Sequence, residues 1–207
     1  MRIALAQMNS FLGDFQGNRD KILQMAQDAA EKRCDLVVFP ELCTLGYHPF
    51  DLMERPSVID QQKSILNDLV EKLPRDIHCL VGAVTLNNGK GKPYFNSALL
   101  IHNGEIKKTF SKELLPVYDV FDDSRHFSPG DMSHNHFKIN GKTIQVLICE
   151  DMWGWDELHE RNPILELKPS MHHVTCNAGM TPKLTMTITG TVTEEFLRKK
   201  EAGIFEY

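Results

Sequence analysis

Asp35-Leu36-Val37-Val38-Phe39-Pro40-Glu41 sets four apolar residues in a row between a charge and a proline. Such a run has no polar face, and its proline cannot donate to a β-ladder. It predicts a strand that is buried on both faces and ends at Pro40. Cys79-Leu80-Val81-Gly82-Ala83-Val84 and Thr143-Ile144-Gln145-Val146-Leu147-Ile148-Cys149 read in the same way. Strands of this kind occur in sheets covered on both sides, which points to a layered α/β protein.

The flanking segments supply the covering layers. Residues 2–8 alternate and predict a further strand. Gly13 to Gly17 read as a loop, with Asn18 as the cap of a helix and Asp20 in its first turn. Ile22, Leu23, Ala26, Ala29 and Ala30 form that helix's apolar face. A loop over 43–56 is followed by a second helix, in which Val58, Ile59, Gln62, Ile65, Leu66, Leu69 and Val70 recur at helical spacing up to Pro74. Runs at 96–101 and 105–112 flank His102-Asn103-Gly104, a hairpin signal. Residues 113–134 lack periodicity, and a loop of that length predicts a functional segment. A helix is expected over 156–167. Beyond 169 the threonine-rich tail offers little apolar pattern except a short helix over 194–205.

Composition narrows the function classes. The chain has 207 residues, 42% hydrophobic and 25% charged, with a formal net charge of −5. That mixture lacks the basic stripe of a nucleic-acid binder. No apolar run has the length of a membrane span or the layout of a signal peptide. The five cysteines, at 34, 43, 79, 149 and 176, are odd in number and widely spaced. They predict free thiols in a reducing cytoplasm rather than a disulfide framework or a zinc site. The nine histidines show no metal-ligand spacing.

Two strand ends carry reactive groups: Glu41 follows one buried run and Cys149 closes another. Ligand sites in open parallel sheets form at the carboxyl ends of strands. Lys112 ends the second hairpin strand, on the face that also carries Ile106, Lys108 and Phe110. Taken singly, a cysteine in this position is commonly a small core residue, and a charge at a strand end a solvated rim group.

Three motifs in order change that reading. Phe39-Pro40-Glu41-Leu42-Cys43-Thr44-Leu45-Gly46-Tyr47, Phe110-Ser111-Lys112-Glu113-Leu114-Leu115-Pro116 and Leu147-Ile148-Cys149-Glu150-Asp151-Met152-Trp153 resemble the three signatures of the nitrilase superfamily of carbon-nitrogen hydrolases. Two longer stretches narrow the resemblance. Gly46-Tyr47-His48-Pro49-Phe50-Asp51-Leu52 is similar to the Gly-Tyr-x-Pro-x-Asp-Leu segment of glutamine-dependent NAD synthetases. Leu115-Pro116-Val117-Tyr118-Asp119-Val120-Phe121-Asp122-Asp123 resembles their Leu-Pro-Asn-Tyr-x-Val-Phe-Asp-Glu segment, with Asp123 where that family usually has glutamate.

The resemblance implies a nitrilase-type four-layer α-β-β-α sandwich, incomplete at its C-terminal end. It implies a glutaminase domain over 1–168 and an atypical tail over 169–207, arising by truncation, frameshift or divergence. The implied roles are Cys149 as nucleophile, Glu41 as proton carrier and Lys112 as the charge facing the oxyanion, with Tyr118 and Glu150 at the substrate. Glutamine or a similar small amide is the implied substrate, and an NAD synthetase domain the implied consumer of ammonia. Homo-oligomers are common in such relatives. No metal or cofactor serves amide hydrolysis; ATP belongs to a synthetase domain, whose Ser-Gly-Gly-x-Asp-type loop this sequence lacks. Where the family carries Asn-Ala-Ser-Pro, this chain reads Asn177-Ala178-Gly179-Met180, so its final strands are expected to be missing and a sheet edge open. An amidase for another small amide, and a non-catalytic remnant, are the alternatives.

Overall fold

A computed structural model describes residues 1–152 and the backbone of three strands beyond them, at 172–178, 184–190 and 204–206. The first strand, β1 (Arg2–Leu5), leads into helix α1 (Phe15–Glu31), then β2 (Leu36–Val38), helix α2 (Pro56–Lys72) and β3 (His78–Leu86). β1, β2 and β3 lie side by side and parallel. Two successive β-α-β units therefore place both helices over the sheet. β4 (Tyr94–His102) and β5 (Glu105–Ser111) complete this part as antiparallel neighbours.

A second sheet begins with β6 (His136–Ile139) and β7 (Lys142–Ile148). The β4–β5 and β6–β7 hairpins both turn on Asn-Gly. Asn103 and Gly104 have φ of 53° and 73°, and Asn140 and Gly141 have 51° and 76°. Positive φ at both central residues is the two-residue turn whose twist matches the flanking strands. The second hairpin lies just past the stretch expected to be a long loop, and Asn140-Gly141 is its signal in the sequence.

Strands β1 to β4 each feed two cores. Ile3, Leu5, Leu36, Val38, Leu80, Ala98, Leu100 and Phe110 point inward and meet Phe137, Ile139, Ile144, Val146 and Ile148 of the second sheet. Ala4, Ala6, Val37, Phe39, Val81 and Ala83 point outward beneath the helices. The run Leu36-Val37-Val38-Phe39 is thus apolar throughout because it is sandwiched. Burying one such aliphatic side chain contributes about 1.5–3 kcal/mol. Three of the four expected layers lie among the described residues; the helix expected over 156–167 falls outside them.

Three local expectations are corrected. α1 begins at Phe15, because the Asp14 carboxylate accepts a hydrogen bond from Gly17 N at 2.9 Å and caps the helix. Asn18 is instead buried in the helix, donating to Phe11 O (2.8 Å) and Thr44 O (3.3 Å). It ties the helix to the turn after β2. The first strand is shorter than 2–8 and ends at Leu5. The tail contributes strands: β8 (His172–Ala178), β9 (Leu184–Gly190) and β10 (Ile204–Glu206). β9 pairs with β7 and with β8, and β10 pairs with β1. Most of the helix expected over 194–205 lies outside the described residues, and Ile204 and Phe205 fall in β10. Among the described residues no helix is long and apolar enough to cross a membrane, and four cysteines are free and buried.

Candidate active site

The backbone leaves β2 through Phe39 and Pro40 and folds tightly at Glu41–Leu45, where Leu42 takes φ 48°. That turn lies directly on Gly82 of β3. A Cβ at Gly82 would stand 2.3 Å from Pro40 O and 2.5 Å from Leu42 N, so only glycine permits the approach. Thr44 N and Thr44 Oγ1 both donate to Gly82 O, at 3.2 and 3.1 Å, which fixes the turn against the strand.

The Glu41 side chain is fully buried. Its Oε1 accepts from Asn96 Nδ2 at 2.7 Å and from Lys112 Nζ at 2.9 Å. Its Oε2 has no hydrogen-bond partner among the described residues. Lys112 follows β5 and is held through its backbone N–H, which donates to Asn96 O at 2.8 Å. Its Nζ also donates to Asp123 Oδ2 at 2.7 Å. Asp123 begins a short 3-10 turn (Asp123–Arg125) in the segment after β5 and is itself buried. One ammonium therefore lies between two buried carboxylates. His48 Nε2 stands 3.5 Å from Asp123 Oδ1 on the far side.

These charges shift one another's titration. Burial raises the Glu41 carboxyl above the usual glutamate range; Lys112 opposes this, and the negative charge of Asp123 reinforces it. Burial disfavours the Lys112 ammonium, but Glu41, Cys149 and Asp123 outweigh it and hold Lys112 well above the usual lysine value.

Cys149 ends β7 in the opposite sheet and opens a 3-10 turn (Cys149–Met152). Its φ is 49°, a left-handed conformation that costs a non-glycine residue about 1 kcal/mol or more and that often marks functional sites. When ionised, its thiolate raises the proton affinity of both Lys112 and Tyr47. Two residues on, the buried Asp151 accepts hydrogen bonds from the backbone N–H groups of Glu113, Leu114 and Ile148. The Tyr118 hydroxyl donates to the Glu150 carboxylate, at 3.1 and 2.9 Å to its two oxygens.

The structure thus brings Glu41 and Lys112 into direct contact, sets Cys149 within electrostatic reach of Lys112, and joins Tyr118 to Glu150. Asn96, Asp151 and His48 are further members of the cluster that the motifs did not single out. A polar pair, Asn96-Ser97, inside the otherwise apolar strand β4 is the signal that marks the first. Among the described residues one group of potential metal donors gathers at the surface, Asp51, Glu54 and His126. Arg125 Nη2 already engages both carboxylates, at 2.8 and 2.9 Å.

Residues 2–158 match the carbon-nitrogen hydrolase family. The chain belongs to that family. Its relatives include two glutamine-dependent NAD(+) synthetases. That of Synechocystis sp. is 38% identical, covering 87% of this chain and 34% of the relative. That of Acinetobacter baylyi is 36% identical, covering 74% and 27%. The solved glutamine-dependent NAD+ synthetase of Acinetobacter baumannii superposes with a TM-score of 0.67 at 34% identity, over 73% of this chain and 28% of that one. An amidase from Nesterenkonia sp. superposes at 0.62 and 25% identity, over 73% and 56%. This carbon-nitrogen hydrolase domain is therefore homologous to the glutaminase part of NAD synthetases, and the chain spans between about a quarter and a third of the curated relatives' length.

Proposed function

We propose that the chain hydrolyses the side-chain amide of glutamine through a thioester on Cys149, and that the released ammonia serves NAD synthesis in a separate synthetase domain. The observation that carries this reading is the free Oε2 of buried Glu41, whose other oxygen is held by Lys112 at 2.9 Å. A carboxylate fixed at one oxygen and open at the other suits the carriage of a proton.

Glu41 takes the proton of the Cys149 thiol, and the thiolate attacks the amide carbon. Lys112 Nζ and a backbone N–H just after Cys149 face the oxygen that becomes negative. Glu41 passes its proton to the nitrogen, the C–N bond breaks, and ammonia leaves a glutamyl thioester behind. Water attacks the thioester with Glu41 again as base, releasing glutamate and restoring the thiol. These steps draw on protein groups and water alone; ATP would be consumed only by the synthetase domain. Asp123 stands where the resembling family has glutamate, and here it braces Lys112. The Tyr118–Glu150 pair would receive the α-ammonium of glutamine on its carboxylate. Free cysteines suit the cytoplasm, where this supply of ammonia would be used.

The likeness to a solved amidase favours one second reading, a small amide other than glutamine. Ammonia release from glutamine and a panel of short amides separates the two. A glutamine-like chloroketone should label Cys149 stoichiometrically, and Cys149→Ala should abolish both labelling and turnover. Cys43, which donates to Gly82 O at 3.4 Å beneath the Glu41 turn, should tolerate Cys43→Ala. A folded chain that takes no label would instead be a non-catalytic remnant.

A further inference from the structure

We propose that Asp151 is a positioning residue, whose carboxylate ties the backbone that carries Lys112 to the backbone that carries Cys149. The inference rests on the roles proposed above for those two side chains.

Lys112 and Cys149 sit on different sheets, so nothing in the hydrogen bonding of either sheet sets the distance between them. Asp151 spans the gap. Its Oδ1 accepts from Glu113 N at 3.0 Å and from Leu114 N at 2.9 Å, the two residues that follow Lys112. Its Oδ2 accepts from Ile148 N at 3.0 Å, the residue that precedes Cys149. Three N–H donors converge on one carboxyl group; burial pushes it up to about 7, the three donors oppose that, and once ionised its bonds are charge-assisted and stronger than neutral ones. The side chain is fully buried, so water cannot substitute for a lost acceptor, and an unpaired N–H would bear its whole desolvation penalty.

The geometry at Cys149 explains why a clasp is placed there. The left-handed backbone at φ 49° turns the chain sharply into Cys149–Met152, and this turn carries Asp151 back over Ile148. The same bend that presents the thiol therefore presents the carboxylate that fixes the thiol's backbone. Glu113 adds a second tie, since its own carboxylate accepts from Met132 N at 2.7 Å and anchors the segment on its other side. Lys112 is held at its tip by Glu41 and Asp123 and at its root by the Asp151 clasp.

Asp151→Asn in the full 207-residue chain is the direct test, because it keeps volume and removes one acceptor. Its amide nitrogen must face either Ile148 N–H or the Glu113 and Leu114 pair, so at least one donor is left unmet. A displacement of about 1 Å at a catalytic group commonly costs a factor of about 100. The expected result is kcat for glutamine lowered about 10- to 100-fold, with KM changed less than about threefold, and iodoacetamide alkylation of Cys149 slowed about tenfold. Alkylation needs no substrate, so it reads the clasp even if glutamine is not the substrate. An unchanged kcat and alkylation rate overturn the proposal. A rise in KM alone also overturns it. Should Asp151→Asn not fold, hydrogen exchange on the unmodified chain decides. The amides of Glu113, Leu114 and Ile148 should exchange slowly and at one shared rate. Free exchange at 113 and 114 beside a protected 148 would show that no clasp exists.

Discussion

Replacing Lys112 by methionine keeps an unbranched apolar stem and removes the terminal ammonium and its charge. Lys112 is fully buried and makes ion pairs of 2.9 Å to Glu41 and 2.7 Å to Asp123, themselves buried. Taking one partner from a buried pair costs about 3–5 kcal/mol, because the remaining charge is stranded away from water. Here two carboxylates are stranded, although Glu41 keeps its bond from Asn96 at 2.7 Å. For a chain of this size each kcal/mol moves Tm by about 2–4 °C, so Lys112→Met should melt roughly 6–20 °C lower near pH 8. The deficit must depend on pH. Without the ammonium, the burial that already raises the Glu41 carboxyl acts unopposed by Lys112, so Glu41 titrates higher in the folded chain than in the unfolded one. Such a group gives its full stability at low pH and loses it as pH rises through the raised value. The deficit should therefore shrink from pH 8 to pH 5, as measured by urea unfolding at both. Lys112→Met/Asp123→Asn, with one carboxylate fewer, should recover about half of it. Turnover should stay at least about 100-fold down in both variants, since neither has the charge proposed to face the oxyanion. A deficit below about 1 kcal/mol at pH 8, or one that does not change with pH, would refute the account.

Gly82→Ala sets a Cβ 2.3 Å from Pro40 O, so the Glu41 turn must lift off β3. The expected cost is about 1–3 kcal/mol in unfolding experiments; a kcat within twofold of the parent would show that the turn's seat does not matter. Tyr118→Phe removes a hydroxyl donated to both Glu150 oxygens. It should raise KM for glutamine about tenfold and spare kcat, the value of a bond to a charged group; steady-state kinetics showing the reverse would place Tyr118 in the chemistry instead. His78 stacks on His102 at 3.9 Å, and burial, then the His102 charge, depress its proton affinity. Its unfolded form takes up a proton near pH 6.5 that the folded form resists, so stability should fall as pH drops below that value. Chemical denaturation at pH 7.5 and 5.5 should show a smaller fall for His78→Gln; equal falls would exclude the pair as the cause.

What could be read from the sequence was local. Glu41, Lys112 and Cys149 each lie inside a short contiguous signature; apolar runs mark the strand ends at Glu41 and Cys149, and the Asn103-Gly104 hairpin marks the strand that leads to Lys112. Partners joined through space left weaker traces. Asn96 meets Glu41 across 55 residues, and nothing in Asn96-Ser97 says which carboxylate it faces. Asp123 looked like a conservative change in a loop, and its contact with Lys112 emerges only when the segment after β5 folds back. Asn18 misled for a physical reason. Asp14 and Asn18 are both good capping residues one turn apart, and the choice went to the one whose rival was needed inside, between Phe11 and Thr44. Asn140-Gly141 was legible, by the rule that identified Asn103-Gly104.

Asp123 shows how one charge can serve two demands. The proposed cycle needs a base that holds a proton well enough to deliver it, and a cation that never gives its proton up. Both demands call for higher proton affinity, and the two groups share a hydrogen bond that pulls them in opposite directions: Lys112 alone would draw the Glu41 carboxyl down. A second carboxylate on the same ammonium corrects this. Its negative charge raises Glu41 by repulsion and raises Lys112 by attraction. Substitution by asparagine should therefore relax both at once. The acid limb of kcat/KM should move to lower pH, as Glu41 loses proton affinity, and the alkaline limb should move down as Lys112 does. A carboxylate that merely filled space would leave both limbs where they were, so the pH profile of Asp123→Asn separates the two accounts.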